Sequence, residues 1–259
     1  MRTPARCFAA LAVVALSARP VPAHGQVNTE PFRKRIKQKG VSFFVQGTVD
    51  GNTGNTQGLT ADGLIGGGFA RGHHLVFALA SSDYSKLNGT LGVDKSFAHV
   101  RYDYAIFPWL SWEVFIQAQS DVFQRIKDRD LLGTGPRFTL YEDPHLGMFL
   151  GVAYMVERDI YDVAPGGPDA GLQEAQRISA YLTAHATLSD GIDTVTTTYL
   201  QPEITDPSNI RVLSESSFIF KVSTRLATSI SFVAHYDSSP PPGVLTTDTE
   251  LKSAITLTL

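Results

Sequence analysis

His235, Asp237 and Ser238 are the residues of this chain whose types come closest to a reaction. A serine hydroxyl attacks an ester or amide when an imidazole takes its proton and a carboxylate orients that imidazole. On a strand, His235 and Asp237 share a face, while Ile230, Phe232, Ala234 and Tyr236 form the opposite, apolar one. His235 is therefore turned away from the apolar side, where a hydrolase acting on lipid would need its nucleophile, and the set reads as a polar rim.

Other patterns fail on their context. His73 and His74 are adjacent, so on a strand they point apart, and they read as the start of a strand beside an Arg71-Gly72 turn rather than as a metal pair. The loop from Asp50 through Asn52 and Asn55 has the outline of a calcium loop, but Gly54 stands at its fifth position, its sixth is not Gly, and Ala61 at the twelfth carries no carboxylate. Gly66-Gly67-Gly68 follows a strand-like run with no helix-like pattern after it, which excludes a nucleotide loop and indicates close backbone approach or a bulge. No catalytic residue, cofactor or metal is expected. What remains is a set of polar residues spread through the chain: Arg101, Glu113, Gln117, Asp121, Arg137, Glu157, Arg177 and Glu215.

The elements that must position them are strands. In residues 97–141 side chains alternate at period two: Ala98, Val100, Tyr102, Tyr104 and Ile106 against His99, Arg101 and Asp103, then Trp112, Val114, Ile116, Ala118 and Val122 against Glu113, Gln117, Gln119 and Asp121. A sandwich would put the apolar faces on a core; a membrane barrel would put them on lipid and the charged faces in a lumen. Strands are expected at 41–50, 58–70, 73–84, 95–106, 111–126, 130–141, 146–159, 175–187, 192–202, 210–222, 226–237 and 247–259, in one domain. The connections alternate between tight ones (71–72, 107–110, 142–145, 188–191, 223–225) and longer ones (51–57, 85–94, 160–174, 203–209, 238–246), apart from a brief break at 127–129. An up-and-down antiparallel transmembrane β-barrel of about 12 strands (10 to 12) has this asymmetry; a Greek-key sandwich does not. Trp109 and Trp112 at one tight turn, beside Tyr102, Tyr104 and Phe107, suit an interfacial aromatic girdle. The eight polar residues then line a lumen. Counted from the turns, Arg101 falls opposite about Gln117 and Arg137 opposite about Leu150. The charges so sit at different heights, which favours a polar interior of mostly compensated charge over a selectivity constriction.

Residues 1–25 have the form of an export signal, with Arg2 and Arg6 ahead of an apolar run at 8–16 and cleavage expected after Ala23 or Gly25. The only cysteine, Cys7, leaves with it. Removing Arg2, Arg6 and Arg19 from 22 basic residues leaves 19 against 25 acidic, a mature charge near −6 that argues against a nucleic-acid partner. Residues 26–39 carry Arg33, Lys34, Arg35, Lys37 and Lys39 and read as a basic periplasmic lead-in, solvated or touching anionic headgroups, before a barrel at 40–259.

The run from Arg101 to Phe138, the GNTGNT at 51–56, Tyr199 to Pro202 and the YDSSPPPGV at 236–244 together resemble the salt-induced outer-membrane protein family, the YdiY-like proteins catalogued as a domain of unknown function. The resemblance implies a bacterial outer-membrane barrel, with membrane lipids and the barrel-assembly machinery as partners and no established ligand. Such barrels usually end in an aromatic residue, whereas this chain ends at Leu259. The expected function is a passive pore or a structural envelope protein linked to salt or envelope stress. The alternatives are a lipid-modifying hydrolase using His235 and Ser238, and a protein that binds partners through the loops at 160–174 and 238–246.

Overall fold

A computed structural model describes residues 28–52, 58–88, 90–167 and 169–259. A helix, α1 (Glu30–Lys39), precedes twelve strands: β1 (Val41–Asn52), β2 (Gly58–Arg71), β3 (His74–Leu87), β4 (Thr90–Phe107), β5 (Leu110–Asp121), β6 (Ile126–Glu142), β7 (Leu146–Tyr161), β8 (Leu172–Ser189), β9 (Ile192–Pro202), β10 (Ile210–Lys221), β11 (Leu226–Asp237) and β12 (Thr247–Thr258). Each strand pairs antiparallel with its sequence neighbours, and β12 returns to β1, so the sheet closes into an up-and-down barrel. Closure removes sheet edges, which a chain in hydrocarbon could not leave unpaired. The closing ladder is short. β1 pairs with β2 from Val41↔Phe69 to Asn52↔Gly58, but with β12 only from Phe44↔Thr258 to Gly47↔Ile255.

Period-two alternation sets the faces. Along β5, Trp112, Val114 and Ile116 are exposed on the outside, and Glu113, Phe115, Gln117, Gln119 and Asp121 are buried inside. The outer surface carries large apolar side chains on every strand, and near the tight-turn end Phe43, Phe69, Tyr104, Phe107, Trp109 and Tyr141 are all exposed. Aromatic rings with a polar handle collect at that height in membrane barrels; Trp112 Nε1 donates to Thr134 Oγ1 at 2.8 Å.

The structure departs from the sequence reading in three places. β3 extends to Leu87 and β4 starts at Thr90, so residues 85–94 are mostly paired strand, with a bulge between Ser85 and Lys86, rather than a long loop. Residues 127–129 lie inside β6, and the chain turns at 122–125, where Arg125 takes a φ of 56°. Residues 30–39 are a helix inside the barrel and not a lead-in outside it. Pro31 suits a first helical turn, Glu30 complements the helix N-terminus, and Phe32 and Ile36, four apart, share one stripe. Gly40, with a φ of 73°, turns the chain from helix to β1, a conformation that favours glycine. The expected export signal and Cys7 lie outside the described residues, as do 53–57 of the calcium-like loop.

Candidate functional site

The helix is docked by an apolar contact and an ionic one. Ile36 is fully buried, Phe32 nearly so and stacked on Phe44 with ring centroids 4.9 Å apart, and the two join Leu75, Phe77, Leu79 and Phe97 of the wall. The glycines of β2 make the space. A Cβ at Gly68 would lie 2.7 Å from Ile36 Cγ2 and 2.5 Å from the Val76 carbonyl, and one at Gly66 would lie 2.4 Å from the Phe44 ring. Gly66 and Gly68 thus serve the close approach expected of them, and what approaches is the core that seats the helix.

On the other side of α1, Glu30 accepts from Arg101 Nη1 at 3.1 Å and from Arg137 Nη2 at 2.9 Å. Arg33 reaches Asp103 at 2.7 Å and also binds Glu113, whose second oxygen accepts from the Tyr181 hydroxyl at 2.7 Å. Arg101 lies over the ring of Phe115 and Arg137 over that of Phe149, with centroid distances of 5.3 and 4.0 Å. Three guanidiniums face three carboxylates, all buried. The wall sets Arg101 and Arg137 against Asp103 and Glu113 and the helix sets Glu30 against Arg33, so each side balances, and the contacts cross between them: Glu30 meets the wall's guanidiniums and Arg33 its carboxylates. Burial by itself would raise the Glu30 carboxyl, but Arg137, Arg33 and Arg101 outweigh it and hold the group below its ordinary value.

Nearer the loop end a second network lies along the β6 to β11 side of the interior. Arg129 donates to both oxygens of Asp159 at 2.7 Å, and Arg211 binds Glu157 and, at 3.0 Å, Asp237. Arg177 lies 3.5 Å from Glu157 and donates to the carbonyls of Gln201 and Asn209. Beside this network a cavity of about 430 Å³ remains, walled by β1 to β5 and β10 to β12. Asp62, Asp83, Asp121, Glu215 and Glu250 line it with Lys95 and Lys252.

The eight polar residues singled out in the sequence all point inward, but into different groups. Arg101, Glu113 and Arg137 meet at the helix; Glu157 and Arg177 belong to the second network; Asp121 and Glu215 face the cavity. Gln117 donates to Gln119 Oε1 at 2.9 Å and lies 3.3 Å from His99 Nδ1. The expected heights of Arg101 and Arg137 need correction. Arg101 pairs with Phe115 and Arg137 with Gly151, because bulges at Ala105/Phe107 and Thr139/Tyr141 offset the ladders counted from the turns, and α1 then bridges the remaining gap. Sequence reasoning missed Glu30, Arg33, Phe32 and Ile36. The signal was present in Pro31, the acidic first turn and the i,i+4 apolar pair, but five basic residues in the same segment suggested solvent.

The hydrolase set does not assemble. The Ser238 hydroxyl donates to the Ser208 carbonyl at 2.9 Å and accepts from the Ile210 N–H at 2.8 Å, Asp237 is bound by Arg211, and His235 is buried in the cavity wall. His73 Nδ1 lies 2.7 Å from the Ala105 carbonyl and His74 Nδ1 2.8 Å from the Tyr102 hydroxyl, both at the tight turn expected for them.

No curated protein matches the sequence. Among solved structures the barrel is similar to the NanC porin, with 8% identity and a TM-score of 0.52 over 84% of this chain and 100% of that one. It is also similar to the KdgM porin, with 10% identity and a TM-score of 0.45 over 84% and 98% of the two chains, and to the translocator domain of the autotransporter NalP from Neisseria meningitidis, with 10% identity and a TM-score of 0.48 over 88% and 93%. At such identities the likeness is one of fold: a closed antiparallel barrel of the outer-membrane type. The sequence itself, through residues 45–258, which match the family model, belongs to the family described as "Protein of unknown function, DUF481".

Proposed function

We propose that the chain is an outer-membrane pore held shut by its own N-terminal helix. The observation that carries this reading is α1 seated in the lumen, with Glu30 and Arg33 joined to the buried charges of four wall residues. A purely structural barrel could fill its interior with wall side chains alone, as the second network does. A helix tethered through Gly40 can leave as a unit, and the wall it leaves behind is polar enough to hold water. The apolar exterior and the aromatic band at the tight-turn end support the membrane placement. The resemblance to salt-induced outer-membrane proteins supports linking the opening to envelope stress.

Planar bilayers test the reading. The full chain should conduct rarely, and a variant lacking residues 28–39 should conduct steadily at the same protein density. Equal conductance from the two forms, or none from either, would overturn it.

A further inference from the structure

The barrel closes along only part of its last seam. Beyond Gly47↔Ile255 the next facing positions, Thr48 and Ala254, are not paired, and β1 continues to Asn52 and β12 back to Thr247 with no ladder between them. Each of these strands stays paired with its other neighbour, so both remain extended there. Unpaired strand edges are not tolerated against hydrocarbon unless they line a polar or water-filled space. Such a space lies directly behind this gap: the 430 Å³ cavity is walled by Gly47 and Thr48 from one side of the seam and by Leu251 to Ala254 from the other. Its volume is within the range of small-molecule sites, about 300–1,000 Å³.

The chemistry of the cavity is two-signed. Lys95 and Lys252 contact Asp83 and Glu250, at 2.8 and 3.3 Å for the nearer contacts, and the half-buried Lys252 lines the cavity. Asp62, Asp121 and Glu215 have no cation within ion-pair distance among the described residues; they are held by the Thr48 hydroxyl, by Gln124 and by the Ser217 hydroxyl. Gln119 is 94% buried and lines the cavity with its Nε2 donor unmatched, which calls for an acceptor. A ligand satisfying all three features carries an anionic oxygen group for Lys252 and Gln119 and a cationic nitrogen for the uncompensated carboxylates. A ligand using the seam also has an apolar part that stays outside.

We propose that the cavity binds the headgroup of a zwitterionic phospholipid, a phosphate and an ammonium, admitted sideways between β1 and β12 while its acyl chains remain in the membrane. This goes beyond the pore reading and rests only on its membrane placement, not on conduction.

Native mass spectrometry of the full chain in detergent tests it, with palmitoyl-oleoyl phosphatidylethanolamine, the matching phosphatidylglycerol and water-soluble phosphoethanolamine as probes. Phosphatidylethanolamine should give a saturable one-to-one adduct, at least tenfold tighter than phosphatidylglycerol and at least tenfold weaker in Lys252→Gln. In a Cys7→Ser background, Thr48→Cys and Ala254→Cys are compared with themselves before and after joining by a short bismaleimide: whatever the two substitutions cost the cavity wall, bridging should abolish phospholipid binding while changing phosphoethanolamine binding less than about threefold. The pair Val45→Cys and Leu257→Cys, within the paired part of the seam, should block neither. Each variant is first required to keep the parent's heat-modifiable gel band. Equal, unsaturable uptake of both lipids would mean annular contact and overturn the site. Phospholipid binding that survives the Thr48–Ala254 bridge, or phosphoethanolamine binding with none of the phospholipid, would overturn the sideways route. A chain that does not insert into vesicles would instead overturn the membrane placement.

Discussion

Replacing Arg33 by Met removes one charge from a buried group of six and leaves a side chain of similar length. Asp103 and Glu113 then face only Arg101 and Arg137, with Glu30 as a third carboxylate, so the docked state carries one uncompensated buried negative charge. Breaking a buried ion pair on one side costs about 3–5 kcal/mol. At about 1.4 kcal/mol per tenfold, that shifts the ratio of docked to undocked helix by roughly 100- to 4,000-fold. The barrel does not have to unfold to relieve it, because undocking α1 hydrates the wall charges. The assay is thiol labelling of Ile36→Cys, with Cys7 replaced by Ser: position 36 is fully buried when the helix is docked and reacts only on release. Adding Arg33→Met should raise the labelling rate by about two to three orders of magnitude while the heat-modifiable band persists. A second change, Asp103→Asn, restores two charges of each sign, and the labelling rate should fall back most of the way. Such coupling is what a double-mutant cycle measures. A rate within threefold of the parent for Arg33→Met, or no recovery with Asp103→Asn, would refute the claim that the ion network holds the helix.

The same labelling assay reads two other expectations, and unfolding in lipid vesicles reads a third. Gly68→Ala, read with the reporter moved to the buried Phe32 (Phe32→Cys) so that Ile36 is kept, places a Cβ 2.7 Å from Ile36 and 2.5 Å from the Val76 carbonyl, and should release the helix at a cost of about 1–3 kcal/mol, whereas Gly63→Ala, with nothing within 4 Å, should leave protection unchanged. Because the Glu30 carboxyl is held below its ordinary value when docked, its contribution is fully present above the ordinary carboxylate pKa, about 4.3, and is lost as pH falls through the lower, docked value; the part of the protection that Glu30→Gln removes should be flat from pH 8 to 5 and fail below that range. Ile116, 53% exposed on the outer face, should lower the unfolding free energy measured by denaturant titration in lipid vesicles when changed to Arg, by about 2–4 kcal/mol at the midplane, while Ile116→Leu should cost little. A soluble fold buried on both faces would penalise Ile116→Leu as well.

Much of this architecture is written locally. Whether Ile116 faces out and Arg101 faces in depends only on the alternation of each residue with its neighbours, and that alternation survives in the chain as printed. The tight turns, the twelve strands and the inward side of all eight polar residues follow from the same period. The heights of the charges do not. A single bulge, such as those at Ala105/Phe107 and Thr139/Tyr141, offsets a ladder without disturbing the alternation beyond it, so register has to be read from paired backbones. The helix was hidden for another reason. Ten residues are too few to hold a helix alone in water, and Glu30–Lys39 becomes one because Phe32, Ile36, Glu30 and Arg33 find partners on strands, from Phe44 just after the helix to Arg137 about a hundred residues on. The seam between β1 and β12 is the most remote of all. Its register joins the two ends of the barrel and is the accumulated result of every strand offset between them, a quantity that no local stretch of sequence contains.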